Sequence, residues 1–121
     1  MIDLLRAARS FRFAGKGMID LFRFENNARI HLAAALAVVS AGFFFGLSAT
    51  EWGLIITQIV LVWLAEAFNT ALEKLSDLVS PEYHPVIKAV KDLAAGGVLL
   101  AAIGALVVGL LVFVPKIILL F

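Results

Sequence analysis

Cysteine is absent from the 121 residues. That excludes a disulfide framework and any thiolate metal site, while leaving the compartment open. The sequence has no Gly-x-x-x-x-Gly-Lys-Ser/Thr stretch and no His-Arg-Asp catalytic loop. Neither common nucleotide-kinase fold therefore applies. Only two histidines occur, His31 and His84; they stand too far apart to read as a metal pair, and each reads as a polar contact. The basic N-terminal stretch has no apolar core following its first arginines, so it is not a cleaved signal.

What the chain has instead is hydrocarbon. Hydrophobic residues make up 63% of it, against about 45–50% in a soluble domain. A membrane protein is the first reading. Formal net charge is only +1, so the placement of charge matters more than its sum. Arg6, Arg9, Arg12, Lys16, Arg23 and Arg29 precede the first long apolar run; Lys74, Lys88 and Lys91 share a second polar stretch, and only Lys116 lies elsewhere. On a helical wheel Leu4, Ala7, Ala8, Phe11, Ala14, Met18, Leu21 and Phe22 gather opposite Arg6, Arg9, Arg12, Lys16 and Arg23. Residues 1–26 thus suit an amphipathic helix in the membrane interface, with a solvated basic tail as the plainer alternative. Gly15 and Gly17 are expected to break or kink it.

Residues 30–47 carry no formal charge and span ~27 Å as a helix, enough for one crossing, set at 28–48. Residues 48–51 form a polar link, and Trp52 suits an interfacial anchor. A second crossing, 51–78, extends beyond the bilayer. A loop at 79–90 contains Pro81 and Pro85. A third crossing, 91–115, holds a 93–114 run without charge, ended by Pro115 and Lys116. Gly97, Ala101 and Ala105 give that helix a small face for close contact. Three crossings put the basic N-terminus and the 74–92 loop on one side, the cytoplasm by the positive-inside rule, and the C-terminus outside.

Glu66, Asn69, Glu73 and Asp77 fall at i, i+3, i+7 and i+11, one face of a helix. Charge first appears on the second crossing at Glu66, ~21 Å along it, so Glu66 is still about 9 Å below the far surface of a ~30 Å core. An intramembrane acid is a functional-site hypothesis by default. The plainer reading for Glu66 is a hydrogen bond to a neighbouring helix, and for Glu73 and Asp77 a solvated helix end. Carboxylates at the surface with Lys91 and Arg6 suit Mg²⁺ and phosphate oxygens, and a deeper one suits proton removal from a hydroxyl at lipid level. That combination is phosphoryl transfer from a soluble nucleotide to a membrane alcohol. A proton- or cation-conducting oligomer is the rival, although the outer half of the second crossing offers only Thr57 and Gln58 as polar residues. A membrane assembly protein, needing neither ATP nor Mg²⁺, is a third reading.

The segment Glu66-Ala67-Phe68-Asn69-Thr70-Ala71-Leu72-Glu73-x-x-x-Asp77 resembles the signature of the prokaryotic diacylglycerol kinase family. Glu82-Tyr83-His84, Lys91-Asp92, Glu25 with Arg29, and Arg6 stand at the family's spacing, and nearly the whole chain is covered. Glu25-Asn26-Asn27-Ala28-Arg29-Ile30-His31, Glu51-Trp52 and Phe113-Val114-Pro115-Lys116 are similar to its undecaprenol kinase branch. The resemblance implies an all-α integral membrane protein with three transmembrane helices and an interfacial helix. It implies a homotrimer in the bacterial plasma (inner) membrane, with shared sites and no nucleic-acid partner. The implied activity is an ATP- and Mg²⁺-dependent lipid kinase acting on undecaprenol, or alternatively on diacylglycerol. It makes Glu66 the base on the lipid hydroxyl, and Glu25 and Glu73 the Mg²⁺ ligands. Arg6, Phe13, Glu25, Glu73, Asp77, Glu82, Tyr83, His84, Lys91 and Asp92 would border ATP. Arg6, Asn27, Arg29, Trp52, Glu66, Asn69 and Ala95 would meet the lipid, Asn69 orienting Glu66 or the γ-phosphate. Phe13 stands where relatives can have Tyr, and Ala14 and Ala95 where some have Ser, so hydroxyl contacts are lost at all three.

Overall fold

The computed structural model describes residues 1–121. They form four helices and no strand: α1 (Leu4–Phe24), α2 (Asn26–Phe45), α3 (Ala49–Val79) and α4 (Pro85–Ile118). The last three are long and apolar enough to cross a membrane. The all-helical architecture expected from the sequence is therefore present, with α1 as the amphipathic addition.

α1 starts where the Asp3 carboxylate accepts the Arg6 backbone N–H at 3.0 Å, satisfying one of the helix's free donors. Of its residues only Leu21 is buried. The expected break at Gly15 and Gly17 does not occur, and the helix runs through both. A mid-helix glycine costs about 1 kcal/mol, too little to interrupt a cooperative helix with sound turns on both sides.

A single extended residue, Glu25 (φ −97°, ψ 118°), redirects the chain into α2. The Arg29 guanidinium fixes this corner by donating to the Phe22 carbonyl at 3.1 Å and to the Arg23 carbonyl. A cation placed on the last carbonyls of α1 satisfies orphaned acceptors and complements the helix dipole. The Phe22 ring meets Trp63 of α3 edge-on at 5.2 Å. α1 is thus held at its C-terminal end.

α2 stops at Gly46, whose φ of +67° is left-handed and suits glycine. Ser48 and Glu51 form a reciprocal capping box that starts α3. Nearby, a Cβ on Gly42 would lie 2.6 Å from Trp52 Cη2, so the indole packs directly on the α2 backbone. α3 has 31 residues and α4 34, lengths of ~46 and ~51 Å, well beyond the ~20 residues that cross a bilayer. The small apolar core of Leu47, Ile55 and Val112 sits at the end where α2 turns into α3. There Glu51 and Lys116 pair at 3.1 Å, joining the start of α3 to the end of α4.

Two boundaries differ from expectation. α4 begins at Pro85 rather than 91, leaving only residues 80–84 outside helix where a 79–90 loop was expected. Proline suits the first helical position, where its missing N–H costs nothing, and His84 Nδ1 accepts the Val86 N–H at 3.1 Å. α4 also continues through Pro115 to Ile118; so close to the end, proline removes one hydrogen bond without stopping the helix.

Candidate active site

The buried face of α3 changes character along its length. Ile55 and Val62 give way to Glu66, Asn69, Thr70 and Ser76. Only 12 residues are buried in the chain, and these last four are polar or charged, so the interior at this end is not an ordinary apolar core. Glu66 is 2% exposed. Its Oε2, Asn69 Oδ1 and Thr70 Oγ1 are buried without a hydrogen-bond partner. Three such atoms together are costly to bury and make this the candidate site.

Around Glu66 the helices bring in further groups. Asn69 Nδ2 donates to Glu73 Oε1 at 3.4 Å. Both Glu73 and Glu25, the latter from the α1–α2 corner, bear electrostatically on Glu66. His31 Nε2 of α2 lies 3.6 Å from Glu66 Oε2, beyond hydrogen-bond length. From His31 an apolar groove of about 420 Å³ runs between α2, α3 and α4 to Phe113, with Gln58 as its other polar lining residue.

Further along α3, Asp77 pairs with Lys91 of α4, and Lys88 with Asp92 at 2.5 Å. Ser80, Glu82, Tyr83, His84, Lys88 and Lys91 border a second, polar pocket of about 320 Å³. Glu66 and Asp77 are separated by 11 helical steps, ~16 Å, with Glu73 between them. The molecule therefore has a hydrocarbon groove, a buried carboxylate beside the His31 that lines it, and a charged pocket that begins at Ser80, about four turns further along the chain.

Several expected residues lie apart from this cluster. Arg6 and Phe13 are exposed on the undocked part of α1. Trp52 packs against Phe43 at a centroid distance of 5.0 Å and stands 14 helical steps, ~21 Å, from Glu66. Arg29 is occupied with the carbonyls of α1; Asn27 and Ala95 are exposed. Two residues were not expected at the site: His31, read as a polar contact, and Thr70. The sequence carried no separate signal for either: His31 is an isolated histidine near the start of the first apolar run, and Thr70 a small polar residue one turn beyond Glu66.

Glu25 and Glu73 supply hard oxygen donors. No three His, Asp or Glu side chains converge into a metal cage within the chain. Mg²⁺ usually takes one or two carboxylates plus substrate phosphates and water rather than a protein cage. The donor set fits that ion.

The family model for prokaryotic diacylglycerol kinase matches residues 12–113. The chain belongs to that family. This diacylglycerol kinase family member is 42% identical to the undecaprenol kinase of Bacillus subtilis over 94% of its own length and 93% of the relative's. It is 41% identical to a diacylglycerol kinase of Synechocystis over 88% of its length and 61% of that protein. Against the diacylglycerol kinase of Escherichia coli it is 28% identical over 84% of both chains. Membership makes the chain a membrane lipid kinase, which uses ATP and a lipid substrate.

Proposed function

We propose that the chain transfers the γ-phosphate of ATP to the hydroxyl of undecaprenol, giving undecaprenyl phosphate and ADP. The observation that carries the chemistry is Glu66: a buried carboxylate with an unpartnered oxygen, 3.6 Å from the His31 that lines one end of an apolar groove. The choice of lipid is supported by the near full-length match to an undecaprenol kinase. A diacylglycerol acceptor is the second reading, favoured by the 41% identity to the Synechocystis enzyme.

In this reading the lipid hydroxyl reaches Glu66 from the membrane side. Glu66 accepts its proton as the alkoxide oxygen bonds to the γ-phosphorus and the bond to ADP breaks. Asn69 holds Glu73 on the same flank and orients the reacting groups. Glu25 and Glu73 would hold Mg²⁺, which would neutralise charge on the ATP phosphates. Lys91 exchanges Asp77 for a phosphate oxygen. Glu82, Tyr83, His84 and Asp92 border the nucleotide. Arg6 and Phe13 meet it from α1, which is better placed for this in a homotrimer with shared sites, because both lie far along α1 from its own docked end. The basic N-terminus and residues 74–92 face the cytoplasm of a bacterial inner membrane, and the C-terminus faces outward.

The test is purified protein in detergent with labelled ATP, Mg²⁺ and either undecaprenol or diacylglycerol. Phosphate transfer to undecaprenol at the higher kcat/KM is expected. A higher value on diacylglycerol would replace the lipid assignment, and transfer to neither would remove the reading.

A further inference from the structure

The chemistry above leaves one polar side chain at the site without a task. His31 projects from α2 with Nε2 3.6 Å from Glu66 Oε2; its side chain is 22% exposed and that of Glu66 3%. That same carboxylate oxygen is buried and unpartnered. His31 also lines the inner end of the apolar groove beside Ala34 and Trp63. One imidazole therefore borders both the carboxylate and the hydrocarbon path.

The other neighbours of Glu66 make no hydrogen bond to its Oε2. Asn69 turns its Nδ2 to Glu73, leaving an acceptor oxygen inside. The Thr70 hydroxyl makes no hydrogen bond. Glu25 and Glu73 act on Glu66 as like charges. A buried carboxylate needs a donor to hold its orientation, and the His31 imidazole nitrogen stands 3.6 Å from Oε2. Contacts of this kind are commonly loose before substrate binds and tighten in the reactive complex.

We infer that His31 is a positioning residue for Glu66. Its Nε2–H holds Glu66 Oε2, so that Oε1 is presented to the lipid hydroxyl at the end of the groove. This rests on Glu66 being the base. Because a misplacement of about 1 Å can cost a reaction ~10²-fold, loss of the contact is felt in the rate of transfer rather than in nucleotide binding.

The experiment compares steady-state kinetics of the purified full-length kinase carrying His31→Leu and His31→Gln, each also combined with Glu66→Gln. His31→Leu is expected to lower kcat by about 10²-fold while KM for ATP stays within about twofold. His31→Gln, whose amide can still donate, recovers at least about a tenth of the wild-type kcat. In the Glu66→Gln background His31→Leu costs nothing further, since residues acting as a unit are not additive. Wild-type kcat in His31→Leu, equal losses in the two His31 variants, or a full additional loss in the Glu66→Gln background overturns the inference. Should His31→Leu fail to fold, His31→Gln against the shorter His31→Asn decides, and equal kcat in that pair overturns it. If Glu66→Gln alone keeps the wild-type rate, the base assignment fails and this inference with it; if Glu66→Gln is inactive and His31→Leu is not, only the role of His31 is lost.

Discussion

Glu66→Gln exchanges one carboxylate oxygen for an amide nitrogen in a side chain that is 2% exposed. Shape and volume barely change, and no hydrogen bond to Oε2 is lost because none exists. The folded state is therefore expected to lose less than about 1 kcal/mol, as for a substitution that creates neither a cavity nor a broken network. The reaction loses its proton acceptor. General base catalysis contributes roughly 10²–10⁴-fold, which at about 1.36 kcal/mol per decade is ~2.7–5.4 kcal/mol of barrier. The assay is single-turnover phosphate transfer from labelled ATP to the lipid alcohol in detergent, read beside helical circular dichroism and the thermal midpoint. The expected pattern is kcat down by at least about 10²-fold, KM for ATP nearly unchanged, and an unaltered fold. A variant within a few-fold of wild-type kcat would refute the reasoning, because the buried carboxylate would then have no part in removing the proton.

Glu73→Gln takes away one of two proposed hard-oxygen ligands, so half-maximal activity should require about tenfold more Mg²⁺; an unchanged Mg²⁺ titration refutes it. Lys91→Met removes the cation paired with Asp77, and KM for ATP should rise by about tenfold, in line with a charge-assisted hydrogen bond, with little change in kcat at saturation. Gly42→Ala sets a methyl 2.6 Å from the Trp52 ring; the overpacking should cost about 1–3 kcal/mol, seen as a lower unfolding midpoint in detergent, while kcat at permissive temperature is retained.

Hydrophobic runs and helical period made most of this molecule legible. Three charge-free segments are constrained by bilayer thickness, and the stripe from Glu66 to Asp77 follows from a period of 3.6. Glycine and proline were harder, because their effect depends on position. Gly15 and Gly17 sit where cooperativity outweighs their cost, Pro85 where its missing N–H is harmless, and Pro115 where little helix remains to be lost. Glu66 stood out because charge inside hydrocarbon is conspicuous. His31 could not be read that way: an isolated histidine gains meaning only when α2 and α3 bring its ring against Glu66. Arg29 offered a cation suited to a lipid or a phosphate, yet its guanidinium is spent on two backbone carbonyls, a local arrangement that depends on the corner at Glu25.

The ion pairs joining α3 to α4 differ in kind. Glu51 and Lys116 form a rivet at one extremity, remote from the nucleotide. Asp77 and Lys91 form a latch at the other, and the lysine of that latch is the group proposed to meet the triphosphate. The covalent turn at residues 80–84 already closes the hairpin beside the latch, whereas the rivet ties its open mouth, so releasing the latch leaves the two helices tethered and breaking the rivet does not.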